Sequence, residues 1–315
     1  MGIYTFFVIS LPFFSNYLGV IATSDFVSRI SGGYLRIPMW EQILIAIQHE
    51  PWFGYGWNQV SVAQISVYLE SPTTEWIEHS HNILLDILVW NGVPLGIFII
   101  LLSSLWLYSL TRMVKNIECF TTFSMIGAVL VHSMLEYPLD YAFFLLPVGF
   151  LLGLISSEDK KIKTISVPNY SIGIVLSGAL ILYIWIFTEY RIIEKDVQLV
   201  RYESLNIGNL HATYDAPDII LLTQLREQVR LVRTRPVKNM TDEQLELMRK
   251  VTYRYATPIG LYRYSQALAL NNKHEEAKKY LLIINGLHGR NNDFESLFKV
   301  NESLVYKWNS SSNSR

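Results

Sequence analysis

The stretch Glu78-His79-Ser80-His81-Asn82-Ile83-Leu84-Leu85-Asp86 runs directly into Ile87–Thr111, which holds no charged residue. A dense set of polar side chains thus stands at the mouth of an apolar segment. That segment is long enough to cross a hydrocarbon layer, for which a helix needs about 20 residues. In lipid such a chain satisfies its own backbone hydrogen bonds only as a helix or a closed barrel, and nothing here alternates with a period of two. The reading is a helical membrane bundle with its polar chemistry at the edge.

Four further stretches lack charge: Met1–Ser24, Cys119–Leu135, Tyr141–Ser157 and Thr164–Thr188. The first has no basic n-region and no small-residue cleavage site, so it reads as a retained helix rather than a signal peptide. The next two are short and are joined by Glu136-Tyr137-Pro138-Leu139-Asp140, where Pro138 breaks the helix and predicts a tight hairpin. The expected fold is all-α: a polytopic bundle of about five spans.

Composition splits the chain the same way. Met1–Thr188 carries 12 acids and 7 bases, whereas Glu189–Arg315 carries 15 acids and 19 bases in far fewer residues. A membrane part therefore precedes a water-soluble part. The overall mean hydropathy is +0.23. The net charge of −1 excludes a basic nucleic-acid binder and an acidic disordered chain. The single cysteine, Cys119, excludes a disulfide scaffold and a Cys-based zinc site and reads as a small buried hydrophobe.

Lys and Arg in short loops set orientation. Arg112 and Lys115 follow the second span, and Lys160, Lys161 and Lys163 follow the fourth, so both loops are expected on the cytoplasmic side. The loop over 25–86 and the C-terminal region then face outward. The expected layout is a transmembrane helix at 1–24, an outer loop at 25–86 and four spans within 87–188. A helical domain follows at 189–308, with a disordered tail at 309–315. Thr241-Asp242-Glu243 suits a helix start. Ala267 and Ala277, either side of a polar turn at Asn271–Lys273, resemble one tetratricopeptide (TPR) hairpin.

The outer loop begins its structured part with Tyr34–Gln48, an amphipathic helix with Pro38 in its first turn. His49-Glu50-Pro51-Trp52-Phe53-Gly54-Tyr55-Gly56-Trp57 follows, a Gly- and aromatic-rich turn suited to a membrane–water interface. Arg36 has two readings: a fork for a diphosphate, or an ion pair with an acid such as Glu41. The pair His79 and His81 has three: zinc ligation, for which no third ligand other than acids is evident; a hydrogen-bond node that starts the span; or a general base. His132 and Glu136, four apart on one helix face, either lock the hairpin by bonding each other or line a polar site.

At these residues a resemblance emerges. Arg36-x-x-x-Trp40, the Pro51–Trp57 turn, His79-Ser-His81-Asn82-x-x-Leu85, Trp90-Asn-Gly-x-Pro-x-Gly96 and His132-Ser-x-x-Glu136-Tyr137-Pro-Leu139 occur in this order. Together they resemble the O-antigen ligase superfamily of bacterial inner-membrane glycosyltransferases. The similarity is to its PglL-type branch, the protein (pilin) O-oligosaccharyltransferases, and covers most of the chain.

The resemblance implies a periplasm-facing glycosyltransferase, a multi-pass protein of the inner membrane whose C-terminal domain lies in the periplasm. It would take an oligosaccharide from undecaprenyl diphosphate and pass it to a Ser or Thr hydroxyl, with no cofactor and no obligatory metal. It maps catalysis onto His81 and Arg36. Asn82, His79, Trp40, His132, Glu136 and Tyr137 become the substrate-binding set. Implied partners are the lipid-linked donor, a pilin-like acceptor and membrane lipid, with no nucleic acid. An O-antigen ligase or polymerase is the alternative within the superfamily, and a non-catalytic membrane-anchored TPR-like scaffold is the alternative outside it. Members carry more spans than the five counted here, so the chain is expected to correspond to a C-terminal half that pairs with a separate N-terminal half or with itself.

Overall fold

The computed structural model describes residues 36–158, 168–204 and 214–298. Every regular element among them is helical. In chain order these are α1 (Arg36–His49), α2 (Val60–Val67), α3 (Ile83–Thr111), α4 (Ile117–His132), α5 (Ala142–Ser157) and α6 (Asn169–Ser204), then α7 (Thr223–Arg233), α8 (Asp242–Arg254), α9 (Pro258–Leu270) and α10 (His274–His288). The uncharged stretch at 1–24, the lysines at 160, 161 and 163 and the tail at 309–315 lie outside the described residues.

Two helices, α3 and α6, are long and apolar enough to cross a membrane. The apolar part of α6 has almost no protein around it: Ile174, Val175, Leu176 and Ile181 are 64–69% exposed. Bare aliphatic surface of that extent is tolerable against lipid and costly against water. The helix does not stop at Thr188. It continues to Ser204, so the change from apolar to charged sequence falls inside one rigid rod. Helices α4 and α5 have 16 residues each, about 24 Å at 1.5 Å per residue. They pack on each other through Ile126, Val148 and Ile155, with Leu110 of α3 closing the cluster. A 3-10 turn at Pro138–Asp140 reverses the chain between them, where Pro138 predicted the break. Cys119 is buried at the start of α4.

Helix α3 is broken in the middle, and the break organises the loop before it. Pro94 has no N–H to give the carbonyl of Trp90, and Gly92 sits at φ 74°, ψ 172°. The groups freed there are taken by the turn at 51–56. Tyr55 N–H donates to Val89 O at 2.8 Å, Gly56 N–H to Trp90 O at 3.1 Å, and Val93 N–H to Pro51 O at 2.7 Å. A side chain on Gly54 would meet Val89 O at 2.3 Å, and one on Gly92 would meet the Trp52 backbone at 2.5 Å. Both glycines are therefore required by contact as well as by their positive φ. Trp57 stacks on Trp90 at 5.0 Å and donates its Nε1–H to Asn91 Oδ1 at 3.1 Å. The tip residues Trp52 and Phe53 stay exposed.

The C-terminal helices form a second layer. Thr241 caps α8 with a reciprocal bond to Gln244, which confirms the start read from sequence. Helices α9 and α10 pair as a hairpin in which Ala267 and Ala277 are fully buried. Asn271 holds the turn by donating to Ala267 O and Val237 O. This layer is joined to the front of the chain. Ile65 of α2 and Tyr68 just after it belong to its core, Trp76 Nε1–H donates to Ser61 Oγ, and Ser61 Oγ donates to Tyr253 O. Arg254 reaches Glu78 at 3.0 Å. It is fastened to α6 by buried Arg233, paired with Asp196 at 2.6 Å and Glu203 at 2.9 Å.

Candidate active site

The site lies where α1, the 78–82 loop and the α4–α5 hairpin converge. Its loop is tightly specified. Buried Asp86, one turn into α3, accepts the Ser80 N–H at 2.8 Å, and Trp40 Nε1–H donates to Ser80 O at 2.8 Å. Ser80 Oγ donates to Asn82 O, and Ile83 N–H donates to Ser133 O at 2.9 Å. These bonds hold His81 at φ 55°, a left-handed conformation that an ordinary side chain adopts at a cost of roughly 1 kcal/mol or more. A residue kept there by four flanking hydrogen bonds is over-determined, which marks the position as special.

Glu136 is the centre of the site. Its Oε2 is 2.8 Å from His81 Nδ1, and its Oε1 is 2.5 Å from Arg36 Nη2. A carboxylate accepts, so His81 Nδ1 carries a proton, and in the neutral form of the ring the lone pair is on Nε2. Arg36 therefore ion-pairs, but with Glu136 rather than Glu41. The three groups remain 28–40% exposed at the side chain, open to a ligand.

His79 lies behind this row. Its Nδ1 is 3.1 Å from Asp140 Oδ2 and 3.9 Å from Asp86 Oδ2, and its ring stacks on Tyr137 at 4.7 Å. Tyr137 also receives the edge of His81 at 5.0 Å and stacks on Tyr141 at 5.7 Å. The hairpin thus supplies two carboxylates, Glu136 and Asp140, and two aromatic rings, Tyr137 and Tyr141, from six consecutive residues.

Arg36, Trp40, His79, His81, Glu136 and Tyr137 come together here. Two predicted site residues have other surroundings. Asn82 caps α3, its Oδ1 accepting from Leu84 N–H and Leu85 N–H at 3.0 and 3.3 Å. His132 is exposed and turned edge-on to Phe144, and the side chain of Glu136 goes to Arg36 and His81 instead of to it. The mutual side-chain lock, one of the two readings of that pair, is not formed; Glu136 bonds His132 only through its backbone N–H to His132 O. Asp86 and Asp140 were not singled out in sequence. Their signal was there: a carboxylate inside an otherwise uncharged span, and another at the hairpin tip.

Comparison with known proteins places the chain in a family. Residues 120–299 match the family described as virulence factor membrane-bound polymerase, C-terminal, and residues 1–100 match the O-antigen ligase family. A general O-oligosaccharyltransferase of Acinetobacter baylyi is 34% identical over 287 residues, which is 91% of this chain and 50% of that protein. A ComP-specific O-oligosaccharyltransferase of the same organism is 32% identical over 240 residues, 75% of this chain and 43% of that protein. The chain spans about half the length of the curated relatives it matches. No solved structure matches it. The motif resemblance is borne out: the chain belongs to the membrane-bound polymerase family, inside the O-antigen ligase superfamily of membrane proteins, and its similarity runs to the O-oligosaccharyltransferases.

Proposed function

We propose that this chain carries the catalytic edge of an O-oligosaccharyltransferase. It moves an oligosaccharide from undecaprenyl diphosphate to a Ser or Thr hydroxyl of a periplasmic protein such as pilin. The observation that carries the reading is the row Arg36–Glu136–His81. His81 Nε2 takes the hydroxyl proton as the acceptor oxygen bonds to the anomeric carbon. The bond from that carbon to the diphosphate oxygen breaks, and the electron pair stays on the diphosphate. Arg36 offsets the charge developing there. Glu136 fixes the imidazole tautomer and stabilises the imidazolium that forms, as an acid beside a histidine base does in hydrolase triads. His79 and Tyr137 line the acceptor side, Trp40 positions the loop, and Asn82 and His132 act from the edge.

The membrane arrangement belongs to the same proposal. Five spans cross the inner membrane, with the site and the TPR-like helical layer in the periplasm. A separate N-terminal half or a second copy covers the bare faces of α3 and α6. The family descriptions favour one second reading, an O-antigen ligase or polymerase whose acceptor is a glycan.

The test is glycosylation of a pilin-like protein in cells supplied with lipid-linked glycan. The chain is expected to modify it and His81→Ala to lose about 10²–10⁴-fold of the rate. Equal modification by both would remove His81 from its role. Unmodified acceptor in both would show that the chain does not act alone. A reporter fused after Lys195 should report periplasm.

A further inference from the structure

Two cavities share His81 in their lining. One, of about 340 Å³, is lined by Arg36, Met39, Thr73, Ile77 and His81. The other, of about 500 Å³, is lined by Glu78, His79, His81, Tyr137, Asp140 and Tyr141. Glu75 stands on the rim of both. They differ in charge. The first holds the arginine; no lysine or arginine lines the second, which adds to Glu75 the carboxylates of Asp140 and of Glu78, the latter paired with Arg254, and a ladder of ring faces.

We propose that the second cavity is the acceptor subsite, built for a neutral or cationic polypeptide segment bearing the hydroxyl. This rests on the function proposed above. In a single displacement the leaving group and the nucleophile sit on opposite faces of the anomeric carbon. A diphosphate is attracted to Arg36 and repelled by the acidic cavity, so it takes the first. The hydroxyl then arrives from the second, next to His81 Nε2, which receives its proton. Carboxylates and aromatic faces hold Lys or Arg side chains by ion pairing and by cation–π contact. The same lining disfavours an acceptor rich in phosphate, such as a lipid A core. The cavity also borders the C-terminal layer, because Glu78 is paired with Arg254 of α8. A bound segment would leave it along that helix.

The experiment is binding of two fluorescent Ser peptides to the purified full-length chain, alike except for flanking Lys or flanking Asp. The Lys peptide should bind about three- to tenfold more tightly, the preference should fall with salt, and it should collapse in a Glu75→Gln/Asp140→Asn double variant. Arg36→Ala should leave the preference intact and weaken binding of farnesyl diphosphate. Equal binding of both peptides, no binding of either, or a preference that survives the double variant overturns the assignment. Tighter binding of a phosphorylated core oligosaccharide than of the Lys peptide also overturns it. Because this reads binding, it is separable from the transfer assay: peptide preference without transfer faults the catalytic reading, and transfer without preference faults the subsite.

Discussion

Glu136 grips His81 and Arg36 with its two oxygens, at 2.8 and 2.5 Å, although it lies 55 residues from one and 100 from the other. One carboxylate thereby fixes both the imidazole of His81 and the guanidinium of Arg36. The transfer rate should respond accordingly. Glu136→Gln keeps the size and loses the charge, and it should lower glycan transfer by about 10-fold or more, with His81→Ala lower still. The His81→Ala/Glu136→Gln double variant should be no worse than His81→Ala alone, because residues acting as one unit are not additive. Timed glycosylation in membrane vesicles checks this.

The loop that carries His81 depends on Asp86 and Trp40. Asp86→Ala leaves the buried Ser80 N–H without a partner, at a cost of about 1–3 kcal/mol. Trp40→Phe keeps the ring and removes only its bond to Ser80 O. Both should reduce transfer while leaving the helical content seen by circular dichroism unchanged. Full activity of Asp86→Ala would show that the left-handed geometry of His81 holds without the clamp.

Gly54 and Gly92 should be the least replaceable glycines of the front half. Gly92→Ala places a methyl 2.5 Å from the Trp52 backbone at φ 74°, so it should cost more than about 2 kcal/mol and lower the detergent-solubilised melting temperature. Gly127→Ala in α4 meets nothing within 4 Å and should be neutral or slightly stabilising. Equal melting temperatures for the two variants would refute the docking of the 51–56 turn into the α3 break.

The C-terminal layer should weaken in acid. His288 is half-buried; burial pushes its pKa below the ordinary histidine value, more than its bond to Ala256 O raises it. A depressed pKa means that the folded state favours the neutral ring. Its contribution to stability is present above the unfolded value of about 6.5 and is lost as pH falls through the folded one. Melting of the C-terminal layer should therefore drop on going from about pH 7.5 to about pH 5. His288→Gln should flatten that dependence.

Much of this was legible in the sequence, for reasons that are local. The apolar runs of α3 and α6, Pro138 at a hairpin, Thr241 ahead of α8 and the alanines of the α9–α10 hairpin are local signals, so periodicity and propensity read them directly. The motif residues Arg36, His79, His81 and Glu136 were also recognisable. What the sequence could not supply was who meets whom. Four residues on one helix face placed His132 beside Glu136, yet the packing of α4 against the 78–82 loop sends Glu136 to Arg36 and His81 and leaves His132 outside. Asn82 looked like a substrate ligand, but the helix that begins at Ile83 needs its oxygen for the first free N–H groups. The broken helix at Gly92 and the turn at 51–56 satisfy each other's backbone, in bonds such as Tyr55 N–H to Val89 O and Val93 N–H to Pro51 O, between segments far apart in sequence. Such pairings are set by how whole helices pack, because a buried polar group takes whichever partner the packing brings within about 3 Å. The chain's helical class and its family motifs are written locally; the geometry of the candidate site exists only once the helices have closed on it.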